Sequence, residues 1–173
     1  FYWMMLLFLV SFVASSGAWG NFAVDIYVQH FGLSTIEAGK LNSVATGMQV
    51  FLGPLIGLYV DRHGGSLLIC LTGSILMTIP HFILCFFAKG YSSEVLFLIC
   101  ELLLGLAQAL IQTTVFPLVA TAVPHRFVSS AMGIAGASLN MAMVLSPFLT
   151  GLIHDQTGNY LDSMIMFVLQ DIF

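Results

Sequence analysis

Glu101, Gly105, Gln108 and Gln112 stand at i, i+4, i+7 and i+11, the spacing that puts side chains on one face of a helix. A carboxyl and two amides on such a stripe can hold a proton or bind a polar solute through hydrogen bonds. Within an apolar segment they face either a watery cavity or a neighbouring helix. Glu101 is either a proton carrier or a paired structural acid. It stands seven residues past Glu94, about 10 Å along a helix, and so within reach of an interface. Ser11, Ser15, Trp19 and Phe22 make a second stripe at spacings of four, four and three. Two hydroxyls beside an indole suit a polar ligand, but Trp19 is equally at home in packing. His81, directly after Pro80, is either a proton relay or a hydrogen-bonded packing residue.

Covalent and metal chemistry find no support. His-Glu-x-x-His, Gly-x-Ser-Gly and Gly-x-Gly-Asp, the marks of intramembrane proteolysis, are absent. Cys70, Cys85 and Cys100 are odd in number and lack Cys-x-x-Cys spacing, so they read as packing residues without a disulfide or metal. No catalytic residue, metal or cofactor is expected. With four Lys and Arg in all, a basic surface for nucleic acid is excluded. Asn-x-Ser/Thr does not occur, so N-glycosylation is not expected.

The elements that position these groups follow from the charge distribution. The chain is 59% apolar and 7% charged with a mean hydropathy of +1.02, against roughly 25% charged for a soluble domain. Residues 1–24, 41–60, 63–88, 102–125 and 127–154 contain no Asp, Glu, Lys or Arg. Each is close to the ~20 residues that cross the hydrocarbon. None alternates strictly, which argues against a barrel. The expectation is an all-α membrane protein with helices at about 3–29, 36–60, 66–88, 94–122, 127–153 and 160–173. The first run lacks a basic flank and a small-residue cleavage site, and reads as a span. A start inside an apolar run and a short last helix predict a piece of a longer polypeptide. Arg62 and Arg126 fall on one side of the membrane and Lys40 and Lys89 on the other, an even count. The short loops holding the two arginines mark the expected cytoplasmic face.

An internal repeat is more informative. Gly57-Leu-Tyr-Val-Asp61-Arg62-His63-Gly64 recurs as Gly151-Leu-Ile-His-Asp155-Gln-Thr-Gly158, 94 residues on, with Pro54 and Pro147 a turn upstream. Each copy ends the second helix of a triplet. Three helices carry the chain to the opposite face, so the triplets are inverted, the building unit of many secondary transporters. Asp61 and Asp155 then lie at opposite faces and cannot form a catalytic pair. Gly57 permits close helix approach, and Gly64 can end a helix in a left-handed conformation. Asp61 either meets a helix N-terminus as a gate latch or forms a solvated pair with Arg62.

Gly-x-x-x-Asp-Arg-x-Gly resembles the loop signature of the major facilitator superfamily. Gly65 and Ser66 replace the basic pair that usually follows, and Glu101 stands where an N-terminal half would carry Arg before Gly105. Both departures point to the C-terminal half. Phe31-Gly32-Leu33-Ser34, Asn42-Ser43-Val44, Leu103-Leu104-Gly105-Leu106 and Val123-Pro124 resemble the domain-containing protein one group of that superfamily. So do Pro54, Pro117, Ala131, Gly133 and Asn140. The similarity runs ungapped from about Phe31 to Gly158.

The resemblance implies half of an alternating-access transporter for short peptides in a lysosomal membrane, with the plasma membrane as the alternative. It implies four partners: the N-terminal half, the bilayer, a dipeptide or other small solute, and a glycosylated single-span accessory protein. First and fourth helices line the cavity in this fold, so Gln108, Gln112, Ser15, Trp19 and Glu101 are the candidate cavity residues. Second and fifth helices meet the other half. Gly57, Asp61, Arg62, Gly64, Asn42, Asn140, Pro147, Gly151 and Asp155 are therefore the candidate gating and interface residues, with Asn42 and Asn140 bonding across the seam. The third helix is peripheral, which favours packing for His81. A non-transporting or regulatory subunit, a half-size carrier that pairs with a second copy, and a carrier of another organic anion remain the alternatives.

Overall fold

A computed structural model describes residues 2–87 and 94–172. Lys89 and the expected helix ends at 88 and 173 lie outside the described residues. Six α-helices follow one another: α1 Tyr2–Gln29, α2 Thr35–His63, α3 Ser66–Phe86, α4 Glu94–Thr121, α5 Val128–Thr157 and α6 Leu161–Ile172, with a 3-10 turn at His125–Phe127. The first five are long and apolar enough to cross a membrane. α6 has 12 described residues, about 18 Å of helix.

The charge-free runs mark the hydrocarbon but not the helix ends. α2 continues through Asp61, Arg62 and His63, and α5 through Asp155 to Thr157, because exposed polar residues extend a helix into water without cost. Both stop at glycine. Gly64 has φ +71 and Gly158 has φ +66, a conformation that L side chains rarely adopt. At the other end of α2, Gly32 (φ +73) turns the chain. Ser34 then caps the helix: its hydroxyl accepts the Glu37 N–H while the Glu37 carboxylate accepts the Ser34 N–H at 3.0 Å, a reciprocal box.

Packing follows the repeat. α1 lies on α5 and α4 lies on α2, while α3 and α6 pack on each other. Exchanging the two triplets turns the first contact into the second, as the inverted sequence repeat requires. α4 is the most enclosed helix and Gly residues let its neighbours close on it. A Cβ on Gly73 of α3 would lie 2.6 Å from the Ile111 side chain and 3.1 Å from the Ala107 carbonyl. α2 and α5 are the open faces: Val50, Phe51, Leu55, Met141, Val144 and Phe148 are all exposed. Pro54, Pro80, Pro117 and Pro147 sit inside helices, each removing one N–H donor from its ladder.

Candidate functional site

Gln108 and Gln112 lie on the same wall of a cavity between α1, α4 and α5. Its volume is about 360 Å³, and Phe12, Ser16, Gly17, Leu139 and Met143 are among the other lining residues. One turn of α4 separates the two amides, which is why both reach it. Gln108 is buried and Gln112 exposed. Gln49 on α2 donates from Nε2 to the Gln108 Oε1, which fixes the amide orientation and leaves the Gln108 NH₂ as its remaining donor. Apolar walls with a few oriented amides suit a small polar solute.

The other three expected cavity residues stand elsewhere. Ser15, Trp19 and Glu101 are fully buried inside the bundle, with at most 1% exposure. The first-helix stripe was set one residue out of phase: Ser16 and Gly17, not Ser15 and Trp19, face the cavity. A helix turns about 100° per residue, and the run Ser15-Ser16-Gly17 offers a small polar residue for either phase. Ser16 and Gln49 were missed for this reason and because Gln49 lies on a helix read as interface.

Trp19 and Glu101 belong instead to a polar cluster in the core, while the buried Ser15 hydroxyl has no hydrogen-bond partner among the described residues. The Tyr27 hydroxyl donates to Glu101 Oε1 at 2.8 Å. His81 Nδ1 and Asp171 Oδ2 are 2.6 Å apart, with both side chains at most 2% exposed. The Trp19 ring packs edge-on against Tyr27, His81 and Phe167, so it bridges the two pairs. His81 is thus a buried hydrogen-bond partner on α3. Asp171, which sequence reasoning passed over at the end of a short helix, is its other member.

The gate candidates divide. Asp61, Arg62 and Asp155 are exposed, and no ion pair joins Asp61 to Arg62 among the described residues. His154 Nδ1 lies 4.0 Å from Asp155 Oδ1. Gly57 faces Thr113 of α4: a Cβ there would touch its methyl at 3.5 Å. Gly151 faces Phe22 at 4.0 Å. Half-buried Pro147 is inside α5. Asn140 is exposed and donates to the Gly136 carbonyl of its own helix at 2.9 Å. Half-buried Asn42 accepts from Thr46 through its backbone carbonyl. Cys70, Cys85 and Cys100 are buried free thiols, and the described residues hold no cluster of metal-ligating side chains.

Comparison with known proteins places these helices in context. The sequence profile described as "Major Facilitator Superfamily" matches residues 4–169. The chain is 24% identical over 166 residues to the Lysosomal dipeptide transporter MFSD1 of Homo sapiens, covering 96% of this chain and 34% of that protein. It is 25% identical over 157 residues to the protein of the same name from Gallus gallus, covering 90% and 34%. For the Mus musculus protein the figures are 27% over 143 residues, 82% and 29%. The chain spans about a third of the length of the curated relatives it matches.

Proposed function

The chain belongs to the major facilitator superfamily, and on that premise we propose that it forms the C-terminal half of an alternating-access transporter for small organic solutes, short peptides foremost. Members of the superfamily are transporters, and the chemistry asked of this chain is binding, not bond-breaking. The observation that carries the reading is the cavity shared by Gln108, Gln112 and Ser16. Its amides match the hydrogen-bonding needs of a peptide backbone, and its Leu139, Phe12 and Met143 wall suits apolar side chains. Charged groups for the peptide termini then come from the other half, because this cavity has none.

The relatives named as lysosomal dipeptide transporters support dipeptides as the substrate and the lysosomal membrane as the location. An accessory single-span glycoprotein belongs to the same reading. The exposed faces of α2 and α5 are the surfaces that meet the N-terminal half. Rocking along them alternates access, with Asp61 at the end of α2 as a latch.

Uptake of dipeptides by proteoliposomes containing the full-length protein tests this, with Gln108→Ala and Gln112→Ala beside wild type. Wild-type uptake that both folded variants lose supports the cavity and the substrate class. Absence of dipeptide uptake by wild type removes the peptide assignment and leaves superfamily membership standing. Undiminished uptake by both variants removes the cavity from the substrate path.

A further inference from the structure

We infer that Gly17 is the size-determining residue of the solute cavity. Because residue 17 has no side chain, a gap stays open between α1 and Met143 of α5, and that gap admits a bulky side chain of the solute. The inference rests on the transport reading above and deepens it.

A glycine inside a helix weakens it relative to alanine, so its presence calls for a reason. Backbone conformation gives none, since Gly17 is not among the positive-φ glycines. Packing gives none either. Among the described residues, the only atom within 4 Å of a Cβ built on Gly17 is Met143 Cγ at 3.8 Å, an ordinary van der Waals contact. At Gly73 and Gly105 the same Cβ meets atoms at 2.6 and 2.7 Å. The room that residue 17 leaves free belongs instead to the cavity of about 360 Å³ that Gly17 lines.

The helix directions show which part of the cavity this is. Each turn between successive spans reverses the chain, so α1 and α5 run one way and α4 the other. The α1 wall extends from Gly17 back to Leu9 and the α4 wall from Gln108 on to Phe116, each about 12 Å long. With these walls antiparallel, Ser16 and Gly17 share one end with Gln108, while Leu9 and Phe116 share the other. Met143 meets Gly17 and so belongs to the first end. That end thus holds two hydrogen-bonding side chains beside a gap whose far wall is an exposed, flexible thioether. A peptide whose backbone bonds to Gln108 places an adjacent side chain in the gap. A methyl group at position 17 would touch Met143 and close it.

The test is peptide uptake by proteoliposomes holding the full-length protein. Gly-Gly, Ala-Ala, Leu-Ala and Ala-Leu are compared on wild type, Gly17→Ala, Met143→Ala and the double variant. Gly17→Ala should keep the wild-type unfolding midpoint and raise KM about tenfold or more for at least one leucine peptide, the discrimination that a single methyl exerts in a pocket. Its KM and kcat for Gly-Gly should stay near wild type, which a merely structural role for Gly17 would not spare. Adding Met143→Ala should restore uptake of the affected leucine peptide. Met143→Ala alone should lower KM for that peptide relative to Gly-Gly, which reads the gap even if Gly17→Ala fails to fold. An equal loss for all four peptides, an unchanged size preference, or no rescue by Met143→Ala overturns the size filter and leaves the peptide reading standing. Absence of uptake of every peptide by wild type removes both.

Discussion

Gly105 of α4 lies directly against Ala45 of α2, so close that a Cβ on Gly105 would meet the Ala45 carbonyl oxygen at 2.7 Å and its Cα at 2.8 Å. Both clashes are with backbone, which cannot rotate away as a side chain can. Gly105→Ala should destabilise the protein by about 1–3 kcal/mol, the range for overpacking a tight contact, and Gly105→Val by more. Ala45→Gly should not rescue either, since the atoms struck belong to the main chain. Thermal unfolding of the purified full-length protein in detergent measures all three.

His81 and Asp171 tie α3 to α6 across the inverted repeat. Removing one member leaves the other's polar atom buried without its partner, at a cost of about 1–3 kcal/mol. His81→Leu and Asp171→Leu should each lower the unfolding midpoint clearly. The double substitution should be less damaging than the sum of the two, because no unpartnered polar atom of the pair remains. A double-mutant cycle on unfolding midpoints reads the coupling; purely additive effects would mean that the contact carries no energy.

The Gln49–Gln108 pair couples the cavity wall to α2. Interhelical hydrogen bonds in membranes contribute only about 0.6–2 kcal/mol, so Gln49→Leu should leave the fold intact. It frees the Gln108 amide to rotate, however, and oriented amides are what a polar ligand requires. The expected signature is a raised KM for the transported solute with a nearly unchanged unfolding midpoint. Gln49→Glu should preserve less of the wild-type KM than Gln49→Asn, since a carboxylate cannot donate to Gln108 Oε1.

Much of this arrangement is legible in the sequence, for identifiable reasons. The charge-free runs give the first five helices because burying charge in hydrocarbon is costly, and the repeated Gly-x-x-x-Asp-x-x-Gly gives the inversion because its two copies are three helices apart. Gln108 and Gln112 are readable as neighbours because their separation is close to one helical turn. The phase of α1 is not readable: Ser15 and Ser16 are chemically equivalent, and only packing against the neighbouring helices decides which is buried. Pairs such as Tyr27 with Glu101, and His81 with Asp171, are separated by 74 and 90 residues. No local pattern records such contacts, and the peripheral place expected for the third helix pointed away from a buried polar pair there.

The glycine stripes of α2 and α5 offer a test of where the two halves meet. Nothing among the described residues lies within 4 Å of a Cβ placed on Gly47 or Gly133, in contrast to Gly73 and Gly105. Space inside the six-helix unit therefore gives no reason for glycine at either site, and glycine is about 1 kcal/mol worse than alanine in a helix. Close approach of another helix, as at a moving seam, would supply the reason. Gly47→Leu and Gly133→Leu should then leave the unfolding midpoint of the full-length protein within a few degrees of wild type while cutting solute uptake at least tenfold. Thr72→Leu, at an exposed position on α3, serves as the control and should leave uptake near wild type. If the two stripe variants transport normally, α2 and α5 do not slide on the other half at these positions, and the rocking surface must be sought on α1 and α4.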